Sequence, residues 1–364
     1  MMYRCDKCEK TWTHPLKACI FCGEELKNEV SEQFSVIGFT EVFIPSIKNE
    51  TVPYYVFLLE DEHGNKCLKK SYQKFKIGDK FDYGSSNKDN TVFGVIGTGL
   101  LGMQICEYLI TSGYVTVLKT RDPLAISTIQ SKITARLQKS HTLESAKEIL
   151  KLLVVTTSFS EIKSCDLIIE AVPEKFELKT EVFRELSKIC DKKTIFSTNS
   201  SSLSISKLAT FSDRPDKFIG IHFFNPVKRM DLVEVVVGEK TSEETTNRIV
   251  SLLTNLKKKP IIVKDSPGYI VNRLLLPQIN EAIIMLEEGI ASKEDIDTAV
   301  KLGLNHPMGP FQLADYIGLD ICLSILEVLD KESTMIKNKP AALLYKMCEE
   351  GKLGIKTKEG FYKY

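Results

Sequence analysis

The sequence predicts an α/β domain with a parallel sheet, followed by an all-α domain and preceded by two small modules. From Thr91 onward, short apolar runs typical of strands alternate with helical segments, which is the pattern of a parallel sheet. After about Asn272 the apolar spacing becomes almost purely helical. Four of the ten cysteines fall within the first 22 residues. These changes divide the chain into residues 1–28, 29–84, a polar linker 85–90, 91–272 and 273–364.

The charge and hydropathy of the chain exclude several classes of function. The 364 residues include 49 Lys and Arg against 48 Asp and Glu, a net charge of +1. This balance argues against a broad basic surface, so we expect neither nucleic acid nor an anionic membrane surface as a partner. No apolar stretch reaches the ~18 residues that a membrane-spanning helix needs. The N-terminus lacks the apolar run of a secretory signal, so we expect a cytoplasmic protein.

Two pairs of cysteines near the N-terminus have the spacing of a metal site. Cys5 and Cys8 form one pair, Cys19 and Cys22 form the other, and two residues separate the members of each. This spacing lets both thiolates of a pair contact one ion, and a second pair completes a tetrahedron. We therefore expect a zinc ribbon with a structural Zn²⁺. Iron is the alternative, because four thiolates suit both metals.

The region that follows the cysteine pairs predicts a small all-β module. Residues 29–84 alternate apolar and polar side chains between turn signals, which predicts an OB-like barrel of short strands. Residues 1–84 resemble the zinc-ribbon and OB-fold proteins that are associated with thiolases. That resemblance implies contact with acyl-CoA, or docking to an acyl-CoA enzyme such as a thiolase. A purely stabilising appendage is the alternative.

A glycine-rich motif begins the α/β region. The motif GTGLLG at residues 97–102 follows an apolar strand and precedes a helix, and a second strand is predicted at residues 114–118. In this context the glycines allow a tight turn, close approach of the backbone to a pyrophosphate, and close packing of helix on strand. The sequence therefore predicts a Rossmann-type domain. We expect its cofactor-binding loop to consist of Gly97, Thr98, Gly99, Leu100, Leu101 and Gly102.

The end of the second predicted strand bears on the choice of cofactor. Domains that bind NAD usually have an acidic residue there, which accepts a hydrogen bond from the ribose 2′-hydroxyl. This chain has Thr120 at that position, between Lys119 and Arg121, and these side chains suit the 2′-phosphate of NADP. We therefore expect NADP to be preferred. The alternative is NAD, with Asp122 supplying the acid from a shifted register.

Two strand-like runs contain the residues that predict chemistry. His222 lies near the end of one run, and Glu234 lies inside the apolar run LVEVVV of the next. A carboxylate among valines is costly unless it is paired, so we expect Glu234 to contact His222. Such a contact would fix the tautomer of the imidazole and raise the basicity of its other nitrogen.

Eight motifs fall in an order that is similar to one family. They are residues 97–102, 170–174, 199–203, 222–226, 232–234, 267–273, 306–310 and 360–362. Together they resemble the 3-hydroxyacyl-CoA dehydrogenases of the 3-hydroxybutyryl-CoA type, over about residues 91–364. The resemblance implies oxidation of a short-chain 3-hydroxyacyl-CoA by NAD(P)⁺.

The resemblance also implies a role for each matching residue. His222 corresponds to the catalytic base, Glu234 to its carboxylate partner, and Ser201 to the hydroxyl that binds the substrate oxygen. Asn225 and Asn272 correspond to polar residues around the acyl group, and Asn272 also to one beside the catalytic pair. Glu174 and Lys179 correspond to residues near the nicotinamide end of the cofactor. Asn199 is also expected to bind the cofactor.

The predicted helical domain and two rival functions complete the expectations. The apolar spacing predicts helices at residues 268–289, 295–304, 313–329 and 341–350, and the resemblance implies that this domain forms a homodimer. The helical stretch after the second strand, which contacts CoA in the family, looks short. One rival is therefore a dehydrogenase of a sugar acid such as L-gulonate on the same scaffold. The other rival is a non-catalytic acyl-CoA-binding scaffold.

Overall fold

A computed structural model gives the structure of the protein. It describes residues 2–4, 7, 11–12, 19, 22, 24, 27–29, 33–42, 54–61, 64, 66–71, 75–82, 91–332 and 339–364. The chain divides into two compact units, Met1–Asn90 and Thr91–Tyr364. Among the described residues, no helix is long and apolar enough to cross a membrane.

The first unit contains two small antiparallel sheets among its described residues. Its strands are β1 (Met2–Arg4), β2 (Thr11–Trp12), β3 (Lys27–Glu29), β4 (Gln33–Val42), β5 (Tyr54–Asp61), β6 (Lys66–Ser71) and β7 (Lys80–Asp82). The orders are β2-β1-β3 and β6-β5-β4-β7. Phe34, Phe57 and Leu59 are buried, because alternate residues of β4 and β5 face one small core. These strands fit the predicted all-β character, whereas a closed barrel is not among the described strands.

The second unit begins with an α/β domain. Its strands are β8 (Phe93–Ile96), β9 (Thr116–Lys119), β10 (Leu153–Thr156), β11 (Leu167–Glu170), β12 (Ile195–Thr198), β13 (Phe218–Phe223), β14 (Leu232–Val237) and β15 (Lys259–Lys264). Its helices are α1 (Leu100–Thr111), α2 (Ala125–Gln138), α3 (Leu143–Leu150), α4 (Phe176–Ile189), α5 (Ile205–Ala209) and α6 (Glu243–Asn255).

The eight strands of this domain form one sheet within the described residues, in the order β10-β9-β8-β11-β12-β13-β14-β15. The first six are parallel and follow the doubly wound order of Rossmann domains. Strands β8, β9 and β11 are buried along their whole length, because apolar cores lie on both faces of the sheet. The predicted parallel sheet is therefore confirmed.

The polarity of the sheet reverses near its end. Strand β14 runs antiparallel to β13, and β15 runs parallel to β14. The antiparallel register places His222 directly opposite Glu234. Side chains opposite each other on antiparallel strands lie ~5 Å apart at Cβ, so this pairing alone brings the two into reach.

The C-terminal domain is helical, as predicted. Its helices are α7 (Val271–Glu287), α8 (Lys293–Gly303), α9 (Pro310–Ile317), α10 (Leu319–Glu332) and α11 (Ala342–Glu349). The prediction of a single helix at residues 313–329 is wrong. Gly318 has a φ of +106° and ends α9, so the segment forms two helices. The apolar periodicity continues across the break, because both helices pack on one core.

Candidate active site

The glycine-rich loop joins β8 to α1 and has the shape that a dinucleotide needs. Gly97 has a φ of +114°, and a Cβ there would lie 2.4 Å from the Ala171 carbonyl oxygen. A Cβ on Gly102 would lie 2.1 Å from the Gly97 carbonyl oxygen, so α1 packs directly on the loop. At Gly99, no described atom beyond the chain neighbours lies within 4 Å of the Cβ position. The backbone is therefore open to a pyrophosphate at this point.

The N-terminus of α1 complements the open loop. Among the described residues, no side chain caps this helix end, so its first backbone N–H groups have no capping acceptor. Such groups bind anions, and the helix dipole adds to the attraction. The loop residues thus fit the pyrophosphate of NAD(P).

The end of β9 carries the residues that bear on cofactor choice. Thr120 is buried, and its hydroxyl accepts the Asp122 N–H at 3.3 Å. The Asp122 carboxylate accepts the backbone N–H two residues ahead at 2.9 Å, so it caps its own turn. The Lys119 ammonium lies 4.0 Å from the centre of the Phe159 ring, and burial, together with Arg121, lowers its pKa. Arg121 itself is exposed.

His222 and Glu234 form a buried pair on neighbouring strands. The imidazole Nδ1 lies 2.7 Å from Glu234 Oε2, which confirms the predicted contact. The other carboxylate oxygen accepts the backbone N–H groups of Ile270 and Val271, each at 3.0 Å. Burial opposes the charge on Glu234, but His222 and these N–H groups outweigh it and lower the pKa of the carboxyl. Glu234 is therefore a carboxylate at neutral pH.

Two aromatic rings hold the imidazole in place. The ring centre of Phe224 lies 4.5 Å from that of His222, and the ring centre of Tyr269 lies 5.7 Å from it at a steep angle. The Tyr269 hydroxyl donates to the Leu203 carbonyl oxygen at 2.9 Å, which fixes that ring in turn. With Nδ1 engaged by Glu234, Nε2 is the nitrogen that can exchange a proton.

A serine-rich loop follows β12 at the same edge of the sheet. Glu174 holds this loop in place, because one of its carboxylate oxygens accepts hydrogen bonds from the Ser200 hydroxyl and the Ser201 N–H, the latter at 2.9 Å. From the other side, the Asn272 amide donates to the Ser201 carbonyl oxygen at 3.1 Å. Ser201 is half-buried between these contacts. Residues of both domains therefore hold this loop in place.

A second buried ion cluster lies beside the serine loop. The Lys179 ammonium lies 2.8 Å from Glu170 and 3.1 Å from Glu174, and the Thr198 hydroxyl donates to Glu170 at 2.6 Å. Burial acts against the charge on Lys179, but the two carboxylates outweigh it and raise the pKa of the ammonium. Lys179 also lowers the pKa of Glu174 against the effect of burial.

The two remaining asparagines of the site make different contacts. Asn199 is buried, and its side-chain oxygen accepts the Phe223 N–H at 2.9 Å, next to His222. Asn225 is exposed, and its side-chain oxygen accepts the amide of Gln104 at 2.9 Å. Asn199 therefore supports the strand that carries the imidazole, whereas Asn225 lies on the loop that follows it.

Comparisons with known families decide the classification. The model of the 3-hydroxyacyl-CoA dehydrogenase NAD-binding domain matches residues 92–266, and that of the family's C-terminal domain matches residues 268–364. The chain belongs to the 3-hydroxyacyl-CoA dehydrogenase family. The resemblance seen in the motifs is therefore confirmed.

Individual members of the family match most of their own length. The 3-hydroxybutyryl-CoA dehydrogenase of Clostridioides difficile is 44% identical over 275 residues, which cover 74% of this chain and 98% of that protein. The mitochondrial hydroxyacyl-coenzyme A dehydrogenase of Sus scrofa is 42% identical, with coverage of 74% and 90%. The (S)-3-hydroxybutyryl-CoA dehydrogenase structure from Ralstonia eutropha is 40% identical with a TM-score of 0.71, covering 75% of this chain and 98% of that chain.

Some residues of this 3-hydroxyacyl-CoA dehydrogenase site were not among the predicted ones. Glu170 lies at the end of β11, within the motif at residues 170–174. A carboxylate at the end of an apolar strand was the signal that could have identified it. Tyr269 lies inside the motif at residues 267–273, but its contact with Leu203 crosses between elements that are distant in sequence. Gln104 lies outside the eight motifs and gave no signal. The predicted site was therefore short of the residues that hold the others in place.

Half of the predicted metal site falls beyond the described part of the chain. Cys5 and Cys8 lie outside the described residues. Cys19 is buried and Cys22 is half-buried. Among the residues that the structure describes, no group of three or more His, Cys, Asp or Glu could hold a metal ion.

Proposed function

We propose that the chain is a 3-hydroxyacyl-CoA dehydrogenase that converts 3-hydroxybutyryl-CoA and NAD(P)⁺ to acetoacetyl-CoA and NAD(P)H. The observation that carries this proposal is the buried His222–Glu234 pair, with Nδ1 and Oε2 2.7 Å apart. It lies at the end of the sheet domain whose glycine loop fits a dinucleotide. The 40–44% identity to curated 3-hydroxybutyryl-CoA dehydrogenases over most of their length supports the same conclusion.

The proton of the substrate hydroxyl goes to His222. Its Nδ1–H donates to the Glu234 carboxylate, which leaves the Nε2 lone pair to accept the proton of the 3-hydroxyl. Bound NAD(P)⁺ supplies the acceptor for the hydride that leaves C3. As the C3–O bond becomes a carbonyl, Glu234 stabilises the imidazolium. In the reverse direction, the imidazolium donates this proton to the developing alkoxide.

The serine loop contributes to substrate binding in this proposal. Ser201 donates its hydroxyl to the substrate oxygen, and Asn272 and Glu174 hold its backbone on two sides. Asn225 binds near the acyl group, while Asn199 and Lys179 support the nicotinamide end of the site. Two backbone contacts at 2.9 and 3.1 Å support the positioning of Ser201, since they limit where its hydroxyl can reach.

We also propose that NADP is preferred over NAD. Thr120 is uncharged and Arg121 is exposed directly after it, whereas the Asp122 carboxylate is engaged by its own turn. Loss of a charge-assisted hydrogen bond costs about 1.5–3 kcal/mol, so Arg121→Ala should raise the KM for NADPH about 10-fold or more. The KM for NADH should change less than twofold, as judged from initial rates with both coenzymes. An equal change in the KM values for NADPH and NADH would contradict the proposed preference for NADP.

The direct test follows coenzyme absorbance with acetoacetyl-CoA and either NADH or NADPH. We expect turnover by the full chain and a kcat lower by ~10²–10⁴-fold when His222 is replaced by Gln. Absence of turnover with both coenzymes would overturn the proposal. Oxidation of gulonate without reduction of acetoacetyl-CoA would select the sugar-acid alternative, which the matched relatives do not favour.

The N-terminal unit and the assembly are the subject of three further proposals. Cys5, Cys8, Cys19 and Cys22 bind structural Zn²⁺, and elemental analysis of the full chain should find about one zinc per chain. Iron would select the alternative, and no metal would exclude both. Residues 1–84 dock an acyl-CoA enzyme such as a thiolase. Co-elution with a thiolase in gel filtration should therefore be lost on deletion of residues 1–88.

The proposed homodimer forms through the helical domain. The exposed apolar side chains of Leu274 and Leu302, at 72% and 80% exposure, support this. Sedimentation of the full chain should give twice the mass of one chain, and Leu302→Glu should favour the monomer. A monomer at micromolar concentration would contradict the proposal.

A further inference from the structure

One glutamine connects the helix of the dinucleotide loop to the loop that follows the catalytic strand. Gln104 lies in the second turn of α1, two residues after the glycine motif ends. Its side-chain amide donates to the Asn225 side-chain oxygen at 2.9 Å, and its side-chain oxygen accepts the Val227 N–H at 2.9 Å. The two contacts enclose the loop on either side of Pro226.

The backbone contact determines which way both amides point. The Val227 N–H can only donate, so the Gln104 atom that faces it must be the oxygen. The other terminal atom of Gln104 is then its nitrogen, which can only donate. The Asn225 atom that faces this nitrogen must therefore be the carbonyl oxygen. The orientation of Asn225 thus follows from a main-chain N–H two residues away.

This orientation leaves the Asn225 nitrogen directed away from Gln104. Asn225 is exposed, on the loop that begins after Phe223 at the end of β13, directly next to His222 in sequence. With its oxygen engaged, the side chain can offer two N–H donors and only the remaining lone pair of its oxygen. A ligand atom that meets the nitrogen must be a hydrogen-bond acceptor.

We propose that Gln104 is a positioning residue that presents the Asn225 amide N–H groups to a carbonyl oxygen of the bound ligands. The proposal rests on the proposed dehydrogenase function and names the polarity of one of its contacts. Two oxygens share this chemistry, the thioester carbonyl of the acyl-CoA and the carboxamide oxygen of the nicotinamide. Both are hydrogen-bond acceptors, and both belong beside the imidazole in the proposed reaction.

Gln104→Glu is the decisive variant, because it reverses the polarity at one atom. A glutamate keeps an oxygen for the Val227 N–H but offers Asn225 a second acceptor in place of the donor. Asn225 must then rotate and direct its own oxygen at the ligand. Gln104→Met, of similar length, removes both contacts, so that the Asn225 amide can adopt either orientation. Asn225→Asp removes the donor itself while keeping the acceptor for Gln104.

Steady-state kinetics and NADH binding distinguish the two oxygens. If the acceptor is the thioester carbonyl, Gln104→Glu should raise the KM for acetoacetyl-CoA about 10-fold or more, with kcat within threefold. If it is the nicotinamide carboxamide, the dissociation constant of NADH should rise instead, as measured by fluorescence. In both cases Gln104→Met should have a smaller effect, and Asn225→Asp should reproduce the effect of Gln104→Glu.

Three outcomes would overturn the proposal. One is equal binding and kinetics for wild type and Gln104→Glu. A second is an equal loss of kcat and melting temperature in the Glu and Met variants with no change in KM or NADH affinity, which is a purely structural role. A third is a salt-dependent effect of Gln104→Glu that Asn225→Asp does not share. Failure of the wild-type chain to reduce acetoacetyl-CoA would instead refute the proposed function, and the NADH-binding comparison would still stand.

Discussion

Two buried clusters lie at the same edge of the sheet, and each pairs a carboxylate with a nitrogen group. They differ in whether that nitrogen group keeps a hydrogen-bonding position for the substrate. In the first, His222 uses one ring nitrogen for Glu234, and no described residue hydrogen-bonds the other nitrogen. In the second, the Lys179 ammonium contacts Glu170, Glu174 and the Val172 carbonyl oxygen. All three hydrogens of the ammonium therefore have an acceptor.

The difference teaches that burial of a charged pair does not by itself indicate chemistry. A carboxylate in an apolar sheet needs a partner in both clusters, since an unpaired buried charge is strongly destabilising. Lys179 is held as a cation by two carboxylates that raise its pKa, so it has no proton to exchange near neutral pH. His222 is held by one carboxylate and keeps a nitrogen for the substrate. We therefore assign proton transfer to the first cluster and support to the second.

The largest effect is expected from removing the imidazole. His222→Gln retains a polar side chain of similar length but has no ring nitrogen that can accept a proton. General acid–base catalysis contributes ~10²–10⁴-fold, so kcat for acetoacetyl-CoA reduction should fall by about that factor. NADH binding, measured by fluorescence, is the control and should be retained. A loss below tenfold would remove the distinction between the clusters.

Replacing the partner carboxylate should have the next largest effect on the rate. Glu234→Gln keeps the shape and the two backbone contacts through its oxygen, but it cannot stabilise an imidazolium. We expect kcat to fall about 10²-fold. The matched control is Glu239→Gln, an exposed position just after the same strand, which should retain wild-type rates.

The same variant predicts a pH dependence of stability. The pKa of Glu234 is lowered below its ordinary value of 4.5, so its stabilising contribution is complete above about pH 4.5 and is lost as pH falls through the lowered value. The difference in the free energy of unfolding between wild type and Glu234→Gln should therefore be constant near neutral pH and shrink in acid. Urea unfolding at several pH values measures it. A difference that grows as pH falls would contradict the assignment.

The smallest effect on the rate is expected from the second cluster. Lys179→Met leaves Glu170 and part of Glu174 without their cation, which should lower the free energy of unfolding by about 3–5 kcal/mol. The kcat of the folded fraction should fall about tenfold or less, because no proton passes through this cluster. Glu170→Gln combined with Lys179→Met should recover much of the stability. A 10³-fold loss of kcat in a stable double variant would show that Lys179 acts in chemistry.

The dinucleotide loop and the catalytic pair could be predicted from the sequence, because each depends on a local rule. The glycine spacing of residues 97–102 acts within one turn of chain, and Glu234 is identified by its polarity among valines. The pairing with His222 then needs only one antiparallel register between consecutive strands. Short-range constraints of this kind are carried by residue type and spacing.

The contacts that hold the site in place could not be predicted in the same way. Gln104 and Asn225 are 121 residues apart in sequence, and Ser201 and Asn272 are 71 apart, so their contacts depend on how whole elements pack. The break at Gly318 was missed for a related reason. Both helices bury the same face, and apolar periodicity alone does not report a change of direction.

The carboxylate of the catalytic pair also joins the two domains. Glu234 belongs to the part of the chain that matches the NAD-binding domain, whereas Ile270 and Val271, whose N–H groups it accepts, begin the first helix of the C-terminal domain. Its negative charge therefore compensates the positive end of the α7 dipole as well as orienting the imidazole. A fragment cut between residues 266 and 268 would strip this acid of two donors at once. Separation of the two domains should therefore weaken the hold on Glu234, and with it the orientation of the proposed proton acceptor, His222.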